Sequence, residues 1–97
     1  MEKSFEFGFS RIINITYTSD YDLKMDTKLE LDVFIDGEIA LNSMNLHAIL
    51  FSGKLNTVVG VDLASCIDLG KYKCKVLKIV LKNIPEVHFK NIHCKPI

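Results

Sequence analysis

Apolar and polar residues alternate along much of the chain, which is the period of two expected of β-strands with one buried face. The first such stretch has its apolar positions at Phe5, Phe7, Phe9, Ile13, Ile15 and Tyr17. The alternation falters around Gly8, Ser10 and Arg11. One unbroken strand of this length would be unusual, so we expect two strands joined by a three-residue turn over Ser10 to Ile12.

The strongest local signal is a β-hairpin over Lys28 to Leu41. Its apolar positions are Leu29, Leu31, Val33, Ile35, Ile39 and Leu41, and its first strand alternates them with Glu30, Asp32 and Phe34. Asp36-Gly37 separates the two halves. This pair suits a type I′ turn, because both central residues of that turn need a positive φ. The polar stretch from Thr18 to Thr27 is predicted to be a loop.

The stretch from Ser43 to Phe51 is ambiguous. Leu46, Ala48 and Leu50 place an apolar residue at every second position, which fits a strand. Ser43 as an N-cap and Gly53 as a stop fit a short helix. We predict a strand here, with a short helix near 43–51 as the alternative.

Three more strands are predicted before the C-terminus. The first has one face made of Thr57, Val59, Val61 and Leu63, with Gly60 opposite as a possible bulge. The second begins near Tyr72 and slips by one residue before Leu77, Ile79 and Leu81, which a β-bulge would absorb. A helix is disfavoured there by Gly70 and by β-branched residues. The last strand follows Pro85, with Val87 and Phe89 on one face.

Size and composition limit the class of protein. The 97 residues, 48% hydrophobic and 25% charged, suit one compact domain over residues 1–97 and exclude intrinsic disorder. No apolar run approaches the roughly 18 residues of a membrane-spanning helix. We therefore predict an all-β fold, a two-sheet antiparallel β-sandwich of about seven strands, with an α+β fold as the alternative.

One short run resembles a known family. Asp68-Leu69-Gly70-Lys71-Tyr72-Lys73-Cys74 is similar to the run that opens strand F of immunoglobulin-like domains. The resemblance implies that Tyr72 forms a tyrosine corner, in which its hydroxyl bonds to backbone upstream. The chain lacks Trp and any cysteine before Cys66, so the antibody-type disulfide is absent and Cys74 is interpreted as a small buried residue.

Charge is balanced overall but divided along the chain. Residues 1–50 hold four basic and nine acidic residues, whereas residues 51–97 hold eight basic and three acidic. We expect acidic and basic strands to lie side by side and to pair their charges. A possible basic patch comprises Lys71, Lys73, Lys75, Lys78 and Lys82. This patch raises nucleic-acid binding as an alternative function, although few aromatic residues are interleaved with it.

The sequence contains no pattern typical of an enzyme, cofactor site or metal centre. It has no Gly-x-Ser-x-Gly, no phosphate-binding glycine loop and no His-Glu-x-x-His. His88, His93 and Cys94 fit no zinc spacing, and adjacent residues of a strand point to opposite faces. We predict no catalysis, cofactor or metal, and interpret Cys94 as part of a mobile tail. The odd number of cysteines and the charged N-terminus favour the cytoplasm.

A small sandwich whose sequence has no catalytic, cofactor or metal-binding pattern is expected to act through its surface. We therefore expect a non-catalytic module, such as an inhibitor, an adaptor or a structural subunit, that binds another protein by a sheet face, an edge strand or end loops. His47, Ile49 and Phe51 are the candidate interface, because both faces of their segment are apolar. The same segment makes a homo-oligomer possible; a membrane partner is not expected.

Overall fold

Seven strands form the described part of this computed structural model, which covers residues 2–19, 30–45, 56–84 and 89–97. The strands are β1 (Lys3–Gly8), β2 (Ile12–Ser19), β3 (Glu30–Ile35), β4 (Glu38–Asn45), β5 (Asn56–Asp62), β6 (Val76–Lys82) and β7 (Phe89–Pro96). Two single-turn 3-10 helices, Leu63–Ser65 and Leu69–Lys71, lie between β5 and β6. The predicted all-β class is confirmed.

The strands form two antiparallel sheets. The four-stranded sheet has the order β1-β6-β3-β4, and the three-stranded sheet has the order β5-β2-β7. The chain therefore leaves one sheet after Gly8 and enters the other at Ile12. The predicted break is present, but β1 and β2 do not pair, so a hairpin turn between them is wrong.

A single core lies between the sheets. Alternate residues of the central strands supply it, and they are Ile13, Ile15, Leu31, Val33, Ile35, Leu77, Ile79 and Leu81, all fully buried. Burying a side chain of this size contributes about 1.5–3 kcal/mol, so these positions dominate the stability of the sandwich. Phe5, Phe7 and Phe9 pack against the core from β1 and its end while remaining half-buried.

The predicted hairpin is confirmed as β3 and β4. Asp36 and Gly37 have φ values of 53° and 84°, as a type I′ turn requires. The ladder shifts twice, between Leu31 and Val33 and between Val33 and Phe34. Ser43 lies in β4, so the strand interpretation holds as far as Asn45; the rest of the ambiguous segment lies outside the described residues.

Three details in the second half of the chain differ from the sequence prediction. The β2–β5 ladder is regular through Gly60, so the bulge predicted there is wrong. The strand predicted to begin near Tyr72 begins only at Val76, so that start is wrong, and Cys74, just ahead of it, has a φ of 57°. β7 continues to Pro96, and Cys94 is only 2% exposed. Cys94 is therefore a core residue and not part of a mobile tail, because Ile92 and Cys94 continue the inward face of β7.

The strand order shares only part of the immunoglobulin arrangement. With the strands lettered A to G along the chain, that arrangement joins A, B, E and D in one sheet and C, F and G in the other. Here β2–β5 and β3–β6 reproduce the B–E and C–F neighbours, whereas β1, β4 and β7 pair differently. Tyr72 is half-buried against the core, and within the described part of the chain its hydroxyl has no hydrogen-bond partner. The tyrosine corner therefore receives no support.

We predict that Ile79→Ala destabilises the fold by about 2–5 kcal/mol, because it leaves a cavity between the sheets. Val76→Ala, which truncates a 43% exposed residue of the same strand, should cost within about 0.5 kcal/mol. Denaturant unfolding of both variants checks this. Similar losses in the two variants would contradict the assignment of the inward face.

Candidate functional site

The outer face of the four-stranded sheet carries one row of side chains of contrasting chemistry. Glu6 lies opposite Lys78 in the β1–β6 ladder, Lys78 lies opposite Phe34 in the β6–β3 ladder, and Phe34 lies opposite Ile39 in the β3–β4 ladder. An acid, a base, an aromatic and an aliphatic residue therefore follow one another across four strands. The Nζ of Lys78 lies 5.5 Å from the centroid of the Phe34 ring, within cation–π range.

This row borders a shallow depression near the β3–β4 turn. The depression has a volume of about 290 Å³ and is lined by Glu6, Phe34, Gly37, Val76 and Lys78. Ile39 is 51% exposed and Val76 is 43% exposed. Val76 is uncovered because its cross-strand neighbour is Gly8, which has no side chain. We call Glu6, Phe34, Ile39, Val76 and Lys78 the outer-face patch.

A second depression also adjoins the β3–β4 turn. It has a volume of about 270 Å³ and is lined by Asp36, Glu38, Lys71, Tyr72 and Lys73. Its walls contain two acids and two bases, so no single charge dominates it.

The structure divides the five lysines of the predicted basic patch into two groups. Lys71 ends the second 3-10 helix, and Lys73 and Lys75 lie in the segment that leads into β6. Lys78 and Lys82 lie on the outer face of β6. Acidic residues interrupt the group, since Glu6 lies beside Lys78. The lysines therefore do not form one uninterrupted basic row.

Lys82 is engaged by a buried acid. Its Nζ lies 3.0 Å from Oδ1 of Asp32 and donates to Oγ of Ser43 at 2.8 Å. The same Asp32 oxygen accepts the backbone N–H of Ser43 at 2.7 Å, where β4 bulges with a positive φ. This pair confirms, for these strands, the expectation that acidic and basic residues pair across the sheet.

Asp36 joins the β3–β4 turn to the start of β6. Its Oδ1 accepts the N–H groups of Lys75 at 2.8 Å and Val76 at 3.1 Å, and its Oδ2 accepts that of Cys74 at 2.9 Å. Its own N–H donates to the carbonyl of Val76 at 3.0 Å. We call this arrangement the Asp36 clasp.

The clasp changes the pKa of its carboxyl group. The backbone N–H of Lys75 and then that of Val76 lower the pKa of Asp36 most, and Cys74 and Lys73 lower it further against the opposing effect of burial. Hydrogen bonds that favour the ionised carboxylate have this effect. The charged clasp is therefore stable throughout the neutral range.

A second carboxylate fixes the link between the sheets. Asp62 accepts Nε and Nη2 of Arg11 at 2.9 and 2.8 Å, and it caps the first 3-10 helix through the N–H of Ala64. The Arg11 side chain lowers the pKa of Asp62 most. This bidentate pair ties the crossover between β1 and β2 to the end of β5.

The three cysteines differ in burial, and His93 is the histidine that the described residues include. All three cysteines are free thiols, with Cys66 exposed, Cys74 half-buried and Cys94 buried. Burial raises the pKa of the Cys94 thiol to about 12. His93 is exposed, while its neighbour Cys94 faces the core, as the period of a strand predicts. Within the described ranges, no three His, Cys, Asp or Glu residues are grouped so that they could hold a metal ion.

The residues predicted from the sequence to form an interface differ from those that the structure places in the outer-face patch. The candidate interface residues His47, Ile49 and Phe51, as well as His88, lie outside the described residues. The outer-face patch was missed, although Phe34 occupies a polar position in the alternation of β3 and was a usable signal. The sequence predicted the turn at Asp36-Gly37, but it contained no pattern that indicated the hydrogen bonds of the Asp36 clasp.

Comparison with protein-family models, with curated proteins and with solved structures finds no match for this chain. Among the residues that the structure describes, no helix has the length and apolarity needed to cross a membrane.

We predict that Asp36→Asn lowers the denaturation midpoint at neutral pH, because the amide nitrogen faces a backbone donor that the carboxylate accepted. The folded-state pKa of Asp36 lies below its ordinary 3.8, so the stabilisation is present above that value and is lost as the pH falls through the folded-state pKa. Urea midpoints measured against pH should converge in acid. The matched control is Glu38→Gln, next to the turn, and a gap that persists unchanged in acid would contradict the prediction.

We also predict that the three thiols differ in reactivity. Cys66 should react with a disulfide reagent at mildly alkaline pH in the native protein, while Cys94 should not, because burial and a pKa near 12 keep it protonated and covered. Cys66→Ser should remove the fast phase, and unfolding in urea should expose the remaining thiols. Fast native labelling of Cys94, located by peptide mass, would show that β7 is not packed as described.

Proposed function

We propose that this chain is a non-catalytic protein-binding module whose outer-face patch contacts the partner. The observation that carries the proposal is the exposure of Ile39 and Val76 beside Phe34, with Lys78 next to Phe34 and Glu6 beyond it. Protein interfaces combine an apolar and aromatic centre with a polar rim. The patch has this composition and lies on the outer face of the four-stranded sheet.

The size of the depression favours a protein side chain as its occupant. Small-molecule and cofactor sites usually have about 300–1,000 Å³, and a depression of about 290 Å³ that lies open on a sheet is just below that range. An apolar side chain of a partner can fill it and cover Phe34. Aromatic residues at the centre of an interface often contribute most of the binding energy.

The charges of the patch define what the partner should present around that side chain. Lys78 is exposed beside Phe34, and Glu6 lies beyond it toward β1. A partner with an acidic group near Lys78 and a basic group near Glu6 would pair with both. Such complementarity fixes orientation and speeds association more than it increases affinity.

We infer a reducing, cytoplasmic setting for this binding. The inference is supported by the three free thiols, of which Cys66 is exposed. Nucleic-acid binding through the lysines is the second outcome that the experiment below must distinguish, and the interruption of their row by acids favours a protein partner.

We predict that Ile39→Asp weakens partner capture at least ten-fold, which corresponds to about 1.4 kcal/mol, because it places a charge on the exposed apolar part of the patch beside Phe34. Ile97→Asp is the matched control, since Ile97 is 69% exposed at the end of β7 in the other sheet. The wild type and both variants, each checked by circular dichroism, are compared for capture from nuclease-treated host extract. Equal capture by all three would overturn the proposal, and loss of every partner on nuclease treatment would favour nucleic acid.

A further inference from the structure

The outer edge of β1 is a regular strand edge, and no strand among the described residues pairs with it. β1 pairs with β6 through six consecutive residues without a shift. At the opposite edge of the same sheet, β4 is interrupted by two register shifts and by Ser43 at positive φ. In the other sheet β7 contains a shift and Pro96. Bulges and prolines discourage pairing at an edge, and β1 has neither.

β1 also carries aromatic side chains that are only partly buried. Phe5 and Phe7, with Phe9 just beyond the strand, pack on the core yet remain half-buried. Phe5 additionally meets His93 of β7 edge-on, with ring centroids 5.3 Å apart. Pairing along this edge would cover the uncovered part of these rings. β5 is a regular edge too, but its described part offers no such row of aromatic residues.

The backbone groups that face outward from β1 can be identified. The N–H of Phe9 donates to the carbonyl of Lys75, so Phe9 points its backbone toward β6. Backbone direction alternates along an antiparallel strand, so Phe7, Phe5 and Lys3 point the same way. Ser4, Glu6 and Gly8 therefore direct their N–H and C=O groups to the open edge.

We propose that β1 pairs antiparallel with β1 of a second copy of this chain, with Phe5 opposite Phe5 of the second copy at a two-fold axis. In this register Ser4 lies opposite Glu6 of the other copy, so the outward-facing backbone groups form a ladder on each side of the axis. The two Phe5 side chains occupy a non-hydrogen-bonded position, where cross-strand side chains approach most closely. Aromatic pairs at such positions stabilise a sheet.

Charge selects this register over its neighbours. Shifting the pairing by one step in one direction places Glu6 opposite Glu6 of the second copy, and shifting it in the other places Glu2 opposite Glu6. Like charges directly opposite one another destabilise a sheet. Pairing about Phe5 contains no such contact, because Lys3 then faces Phe7. The sequence of β1 is therefore self-complementary in one register.

The proposed pairing has a consequence for the outer-face patch. A two-fold axis perpendicular to the sheet joins the two four-stranded sheets into one of eight strands, with both patches on the same side. Two sites on one surface can bind a repeated partner with avidity. This consequence rests on the proposed function, whereas the pairing itself does not.

The first test measures molar mass by light scattering across the accessible concentration range. The wild type should reach twice the 11.0 kDa of one chain. Ser4→Pro should remain monomeric with an unchanged melting temperature at low concentration, because it removes an N–H at the open edge and none that bonds to β6. Ser4→Val keeps that N–H and should dimerise. A wild type that is monomeric throughout, or a Ser4→Pro variant that dimerises like wild type, overturns the proposal.

A second test reads the register directly and does not depend on the folding of the proline variant. In a Cys66→Ser background, Phe5→Cys should form an intermolecular disulfide on mild oxidation, because the two residues face each other at the axis. Phe7→Cys is the matched control, since two residues from the axis on each side place its copies roughly 13 Å apart, beyond the reach of a disulfide. Cross-linking of Phe7→Cys as efficient as that of Phe5→Cys, or none in either, overturns the register.

Discussion

The four-stranded sheet depends on which alternate residues of β6 face the core. The Asp36 clasp lies at the start of β6, where this alternation begins. The carboxylate gathers the N–H groups of Cys74, Lys75 and Val76 at the point where the chain leaves its irregular segment. Leu77 is the first buried residue beyond it, and alternate residues then face the core. A slip by one residue would turn this whole set outward. Because β6 lies between β1 and β3, the same slip would also break the pairing on both of its sides.

The position of β6 also determines the character of the outer face. Lysines of β6 lie between strands that carry acids, so Lys82 reaches Asp32 and Lys78 lies beside Glu6. The opposite charges of the two halves of the chain are thus compensated locally. What remains distinctive on this face is its apolar centre, made of Phe34, Ile39 and Val76. These exposed apolar residues, with charges of both signs beside them, are the feature on which the proposed binding function rests.

The two edge strands of the four-stranded sheet, β1 and β4, differ in the regularity of their pairing. The ladder between β4 and β3 contains two register shifts, and the N–H of Ser43 donates to Asp32. β1 keeps a straight ladder with β6 and leaves the backbone of Ser4, Glu6 and Gly8 directed away from it. The N-terminal strand thus combines a regular edge, half-buried aromatic rings and a pattern of charge that fits a second copy of itself in one register. Edge and outer-face patch adjoin, since Glu6 belongs to both.

The sequence by itself determined the class of fold, most strands and the β3–β4 turn, because alternation and turn chemistry act over a few residues. It also indicated that acidic and basic strands would be neighbours. Only the tertiary structure decided that β1 and β2 enter different sheets, that Cys94 is a core residue, and that Asp36 holds a segment 38 to 40 residues away. Strand order arises from contacts between distant residues, which no local pattern contains. The outer-face patch has the same origin, because Phe34 and Val76 become neighbours only when β3 and β6 lie in one sheet.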